Sequence, residues 1–171
     1  MFDDAPITIE PAATWTDDEW FLDQDARDLR PNEGWWAIRP GQADGRLIGG
    51  SLCTLNLLQG TPFMPSLDGA LLMLEDDADS TAAAFARGLT SLLQLPDAAA
   101  IRGVVIGRFQ HASQMTREML SQIIDRQPVL ADRPVLANAD FGHTSPMMTF
   151  PIGGHAQIHV GDESGMIITR H

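Results

Sequence analysis

Ala70-Leu71-Leu72-Met73-Leu74, closed by Glu75-Asp76, is the stretch on which the fold turns. An unbroken apolar run does not fit the alternation of a strand with one wet face. It fits a strand covered on both faces, as in sheets that carry packed layers on either side. The carboxylate of Glu75 follows where such a strand empties into a loop, the edge at which open α/β sheets hold their sites.

Working outward, Gly103-Val104-Val105-Ile106-Gly107 repeats the pattern, and Pro134-Val135-Leu136-Ala137 predicts a third, shorter strand. Between the first two, Ala82, Phe85, Leu89, Leu92 and Leu93 recur at helical spacing up to Pro96, with Asp79 or Ser80 as the expected cap. A second helix is predicted through Met115, Met119, Leu120, Ile123 and Ile124. Upstream, 35–39, 40–45 and 46–49 read as strand, glycine-rich turn and strand, and Ser51 as the cap of a short helix running to Leu58. Thr61-Pro62-Phe63-Met64-Pro65 is a loop. The tail, with a 161–165 turn between Ala156-Gln157-Ile158-His159-Val160 and Met166-Ile167-Ile168-Thr169, predicts an antiparallel finish. The expected fold is α/β, with a mixed sheet and antiparallel hairpins at both ends.

Residues 1–33 differ from the rest. They are acidic, with Pro6, Pro11, Pro31, Trp15 and Trp20, and Thr16-Asp17-Asp18-Glu19 is a candidate helix start. This segment reads as a connector that wraps on the larger body formed by 34–171.

Composition narrows the function classes. A chain of 171 residues supports one domain with a full core. A net charge of −12, with all 11 basic residues arginine, argues against a nucleic-acid partner. No apolar run approaches the ~18 residues of a membrane span, and the acidic Met1-Phe2-Asp3-Asp4 is wrong for a signal peptide. The single cysteine, Cys53, precludes an intramolecular disulfide and favours a reducing, cytoplasmic setting.

The chemistry-bearing candidates are Glu75 and His143. The histidine sits in Phe141-Gly142-His143-Thr144, a turn-rich segment just beyond a predicted strand. A loop histidine titrates near neutrality and serves as a general base; a carboxylate at a neighbouring strand end orients it. Each residue alone is also explained as a solvated loop acid and a histidine bonded to backbone. No convincing nucleophile accompanies them. Cys53 lies in an apolar, helix-like run, and Ser51 after two glycines is a helix cap rather than a GxSxG elbow. His155 and His159, four apart on a predicted strand, stand roughly 13 Å from each other, too far for a metal pair. His111 and His171 have no partners nearby in sequence, and no HExxH or CxxC occurs. No metal or cofactor is expected.

Several stretches in order resemble one family: Gly45-Arg46-Leu47-Ile48-Gly49-Gly50-Ser51-Leu52-Cys53-Thr54-Leu55, Gly60-Thr61-Pro62-Phe63-Met64-Pro65, Leu72-Met73-Leu74-Glu75-Asp76, Gly107-Arg108-Phe109 and Phe141-Gly142-His143-Thr144. Residues from about 34 to 170 are similar to the C-terminal domain of the LD-carboxypeptidases, which include murein tetrapeptide carboxypeptidases and microcin C self-immunity peptidases. The resemblance implies a swivelling β/β/α-type domain and a Ser-Glu-His triad. Its glutamate falls on Glu75 and its histidine on His143. The serine and the oxyanion-hole turn belong to an N-terminal domain that is not in this sequence. Ser51 departs from the asparagine that many members carry there. The implied substrates are peptides ending in a D-amino acid or a peptide–nucleotide, and the implied assembly is a homodimer. Two other readings stand beside this one: a binding module that kept the fold without the chemistry, and a cysteine hydrolase using Cys53.

Overall fold

In the computed structural model, which describes residues 5–19 and 21–171, Ala70 to Glu75 form a strand with every residue buried. Met1 to Asp4 and Trp20 lie outside the described residues. Burial on both faces follows from the sheet's position. Leu72 and Leu74 point into a cluster with Phe85, Leu89, Leu92 and Ile124 of the helices, while Leu71 and Met73 point the other way, into a second cluster. Each leucine so enclosed contributes about 1.5–3 kcal/mol over an exposed one.

The elements in chain order are β1 (Ile7–Ile9), β2 (Thr14–Trp15), β3 (Arg30–Pro31), β4 (Trp36–Arg39), β5 (Gly41–Ser51), α1 (Leu52–Asn56), β6 (Ala70–Glu75), α2 (Ala82–Leu93), β7 (Gly103–Gly107), α3 (Arg117–Asp125), β8 (Val135–Ala139), β9 (His155–Val160) and β10 (Gly165–Arg170). One mixed sheet of eight strands runs β1-β10-β9-β5-β6-β7-β8-β4, and β2 with β3 makes a separate ribbon. Strands β5, β6, β7 and β8 are parallel, joined by helical crossovers; β4, β9, β10 and β1 pair antiparallel.

The long strand β5 organises this sheet. Its first half, Gly41 to Arg46, pairs antiparallel with β9, and its second half, Arg46 to Ser51, pairs parallel with β6. The sheet therefore has two arms, and they curl toward one another. Ala156, Ile158, Val160, Met166 and Ile168 of one arm share a core with Leu71, Met73, Val105 and Leu136 of the other. Strands β4 and β9, distant in the strand order, come into contact across that core. The result is three layers: a β arm, a second β arm and the helices.

The mixed α/β sheet, the buried strands, the Ser51 cap and the C-terminal hairpin are as expected. Ser51 accepts the Thr54 N–H at 3.5 Å. Three readings are corrected. Residues 40–45 are not a turn between paired strands: all but Pro40 belong to β5, while β4 pairs with β8 at the far edge. Alternation of small and polar residues in Gln42-Ala43-Asp44 disguised a strand as a turn. Thr81, not Asp79 or Ser80, caps α2, accepting the Ala84 N–H at 3.2 Å. Thr16 does not open a helix; its backbone exchanges hydrogen bonds with Ser145. β1 also adds itself to β10, at the end of the sheet.

Where β5 and β6 run side by side, Gly49 admits no side chain. A Cβ there would lie 1.8 Å from the Met73 carbonyl oxygen. Gly49→Ala is therefore expected to cost about 3 kcal/mol or more in denaturant unfolding, whereas Gly165→Ala, with open space around it, changes stability by about 0.5 kcal/mol or less.

Candidate active site

Parallel register brings the carboxyl ends of β5, β6, β7 and β8 to one edge, where Ser51 lies opposite Glu75. Glu75 ends β6 and is buried, and His143 lies in the loop that follows β8. The two meet: His143 Nδ1 is 2.7 Å from Glu75 Oε2. With Glu75 ionised, Nδ1 carries the proton and donates it to the carboxylate. The lone pair is then left on Nε2, across a ring whose side chain is 47% exposed. A buried acid thus orients an imidazole whose basic nitrogen faces outward, an arrangement that can take a proton from a group brought to it.

Glycines leave room for this contact. A Cβ on Gly142 would lie 2.8 Å from Glu75 Oε2, and Gly142 holds φ +100°, a left-handed conformation that side chains resist. From the opposite side, a Cβ on Gly107 would lie 2.9 Å from the Glu75 Cβ and 2.6 Å from the Phe141 carbonyl oxygen. The glycine before the histidine and the glycine ending β7 are therefore spacers that let backbone close on the carboxylate.

Burial pushes the Glu75 carboxyl above its ordinary range. The facing His143 works against that rise, and the neighbouring charges of Asp76 and Asp77 add to it. Asp76, although adjacent, takes no part in the pair: it is buried and accepts the Ser80 hydroxyl at 2.7 Å.

The other candidates fall elsewhere. Cys53 is exposed, with its sulfur 3.1 Å from the Ser51 hydroxyl and 3.8 Å from that of Thr54, neither of which is a base. His155 and His159 lie along β9, the latter bonded to Gln42 at 3.2 Å. His111 lies against the Trp15 ring and beside Arg30 and Asp17. Among the described residues no group of three or more His, Cys, Asp or Glu side chains is arranged to hold a metal ion.

Sequence reasoning named Glu75 and His143 but missed a buried ion pair. Arg108 and Asp140, both buried, form an ion pair at 2.5 Å just behind the His143 loop. The signal for them was a charged residue directly after each of two buried strands.

This is a mixed α/β domain whose sheet edge couples a buried carboxylate to an exposed imidazole, and known proteins share its fold. The model of the LD-carboxypeptidase C-terminal domain matches residues 44–158, and the chain belongs to that family. A Bacillus subtilis protein named "Putative carboxypeptidase YocD" is 44% identical over 169 residues, 98% of this chain and 52% of that protein. A second Bacillus subtilis protein, named as a probable murein peptide carboxypeptidase, is 34% identical over 75% of this chain and 41% of its own length. Among solved structures, an MccF-like protein from Bacillus anthracis superposes with a TM-score of 0.94 at 42% identity, over 98% of this chain and 52% of that one. The chain spans about half the length of the relatives it matches.

Because its carboxyl is raised in the folded state, Glu75 binds its proton more tightly there than in the unfolded chain. Wild-type stability should therefore fall as pH rises from about 4.5 through the folded pKa, and Glu75→Gln should lose that step. Melting temperatures of both proteins between pH 4 and 8, on the order of a few degrees apart, check this. Parallel curves would contradict it.

Proposed function

We propose that this chain is the C-terminal half of a serine-type LD-carboxypeptidase, supplying the acid and base of a Ser-Glu-His triad. The observation that carries the reading is the 2.7 Å contact between Glu75 and His143 at the carboxyl edge of the sheet. His143 Nε2 takes the proton from a serine hydroxyl as it attacks the scissile carbonyl, and Glu75 holds the ring and stabilises the imidazolium. The same histidine returns the proton to the leaving amine. It then activates water to hydrolyse the acyl-enzyme. The serine comes from an N-terminal domain, to which residues 1–33 are the linker, and the relatives' doubled length supports that arrangement. By itself the chain is inactive. The whole protein works in the cytoplasm as a homodimer.

The favoured substrate is a peptide ending in a D-amino acid, cut at its L,D bond, in keeping with the murein peptide carboxypeptidase relative. A second reading, cleavage of a peptide–nucleotide, has its own support. The MccF-like protein from Bacillus anthracis is highly similar. Escherichia coli MccF, 34% identical over 66% of this chain, names a microcin C7 self-immunity protein, and a solved MccF structure holds aspartyl sulfamoyl adenosine.

Joined to the N-terminal half of a relative such as YocD, the chain should release a terminal D-amino acid from an L,D-peptide. His143→Ala should lower kcat by about 10^4-fold, and Glu75→Gln should lower it with little change in KM. Full activity in both variants would refute the triad. Cleavage of an aminoacyl sulfamoyl adenosine with no action on the L,D-peptide would select the second reading. Sedimentation of the joined protein as a monomer would refute the homodimer.

A further inference from the structure

His143 is half-exposed, sits in a segment without regular secondary structure, and is hydrogen-bonded to the Glu75 carboxylate. One hydrogen bond does not hold an exposed ring on a loop. The loop itself is held instead, from three directions. At its base, the Met148 N–H donates to the Asp140 carbonyl at 2.6 Å, closing residues 140–148 into a ring. On one side, Thr16 and Ser145 exchange backbone hydrogen bonds at 2.9 and 2.8 Å, so the connector grips the loop two residues past the histidine. Beneath, the Asp140 carboxylate gathers donors from Arg108 Nη2 at 2.5 Å, the Ala12 N–H at 3.0 Å and Trp35 Nε1 at 3.1 Å. Asn32 joins acid and base, accepting Arg108 Nη1 at 3.1 Å and donating to Asp140 at 3.4 Å.

A buried ion pair is poor value as plain stabilisation, because desolvation offsets most of its attraction. Its charge-assisted bonds are directional, however, and impose one geometry. Arg108 extends directly from the end of β7 and Asp140 from the end of β8, so the pair locks the ends of two adjacent strands, of which β7 runs beside β6 and its terminal Glu75. Arg108 also lies 4.7 Å over the Trp15 ring, which brings β2 of the connector onto the same guanidinium.

We propose that Arg108 and Asp140 are positioning residues, a buried clamp that holds the His143 loop against Glu75 and ties that geometry to the connector through Ala12, Thr16 and Asn32. The clamp gives a role to the arginine of Gly107-Arg108-Phe109, which the proton-transfer scheme leaves without one. It rests on the proposed function for the purpose of the alignment, and not for the alignment itself. Under that reading, the segment leading from the nucleophile's domain is the one bonded to the loop carrying the base.

The test reads geometry in this chain without any assay of activity. In nitrogen-15 spectra of the imidazoles, His143 should show an Nδ1–H proton shielded from solvent exchange, assigned by its loss in Glu75→Gln. Asn32→Ala removes a half-buried bridge to the clamp and keeps the core intact. It should speed exchange of that proton about 10-fold or more. Asp140→Asn should do so more strongly. Asp97→Asn removes an equivalent loop anchor at the other end of the parallel strands, where Asp97 accepts the Leu67 N–H at 2.7 Å; it should leave the proton unchanged. If Asp140→Asn fails to fold, Asn32→Ala decides. Unchanged exchange in a folded Asp140→Asn or Asn32→Ala protein overturns the clamp, as does equal acceleration by Asp97→Asn. Failure of the triad would appear differently, as full hydrolytic activity without Glu75 or His143.

Discussion

A carboxylate kept at the end of a strand that is buried on both faces is the constraint around which this domain is arranged. Glu75 has left water, and His143 offsets only part of that cost. Its surroundings are consequently tight and particular. Gly107 and Gly142 allow backbone within a few ångströms, and the imidazole supplies the polar partner that a buried acid requires. Nothing about packing alone calls for a charge here, since Leu71 to Leu74 would extend naturally into another apolar residue. The acid weakens the fold locally, which is the pattern expected where chemistry rather than stability selects the residue.

The larger architecture serves that edge. Parallel pairing of β5, β6, β7 and β8 puts their carboxyl ends side by side, so residues distant in sequence arrive together without long loops. Strand β5 passes from one arm of the sheet to the other, which covers the face opposite the helices and accounts for the unbroken apolar run of β6. A strand with one wet face would have left Leu71 and Met73 exposed. The second arm is therefore a condition for burying Glu75, not an ornament on an open sheet.

Much of this was legible from residues alone. Continuous apolar runs identified β6 and β7, helical spacing identified α2, and strand ends marked Glu75 and His143 as candidates that the resemblance of their motifs joined as a pair. Pairing was harder to read. Residues 40–45 carry glycine and polar side chains because β5 is partly exposed there, and such a composition is shared by turns. The hydrogen bonds from residues 1–33 were missed for another reason. Thr16 bonds to Ser145, and Ala12 and Asn32 to Asp140, through backbone groups and an amide, which leave no periodic trace in sequence. Long-range partners such as Arg108 and Asp140 look, one at a time, like ordinary surface charges.

The proposed triad requires Glu75 and His143 to activate a serine lying outside this chain. Labelling of the joined two-domain protein with a fluorophosphonate, followed by mass spectrometry of the modified peptide, tests it most directly. One labelled serine is expected in the N-terminal half, with labelling lost in His143→Ala and strongly slowed in Glu75→Gln. Modification at Ser51 or Cys53, or labelling of the N-terminal serine at an unchanged rate without His143, would contradict it.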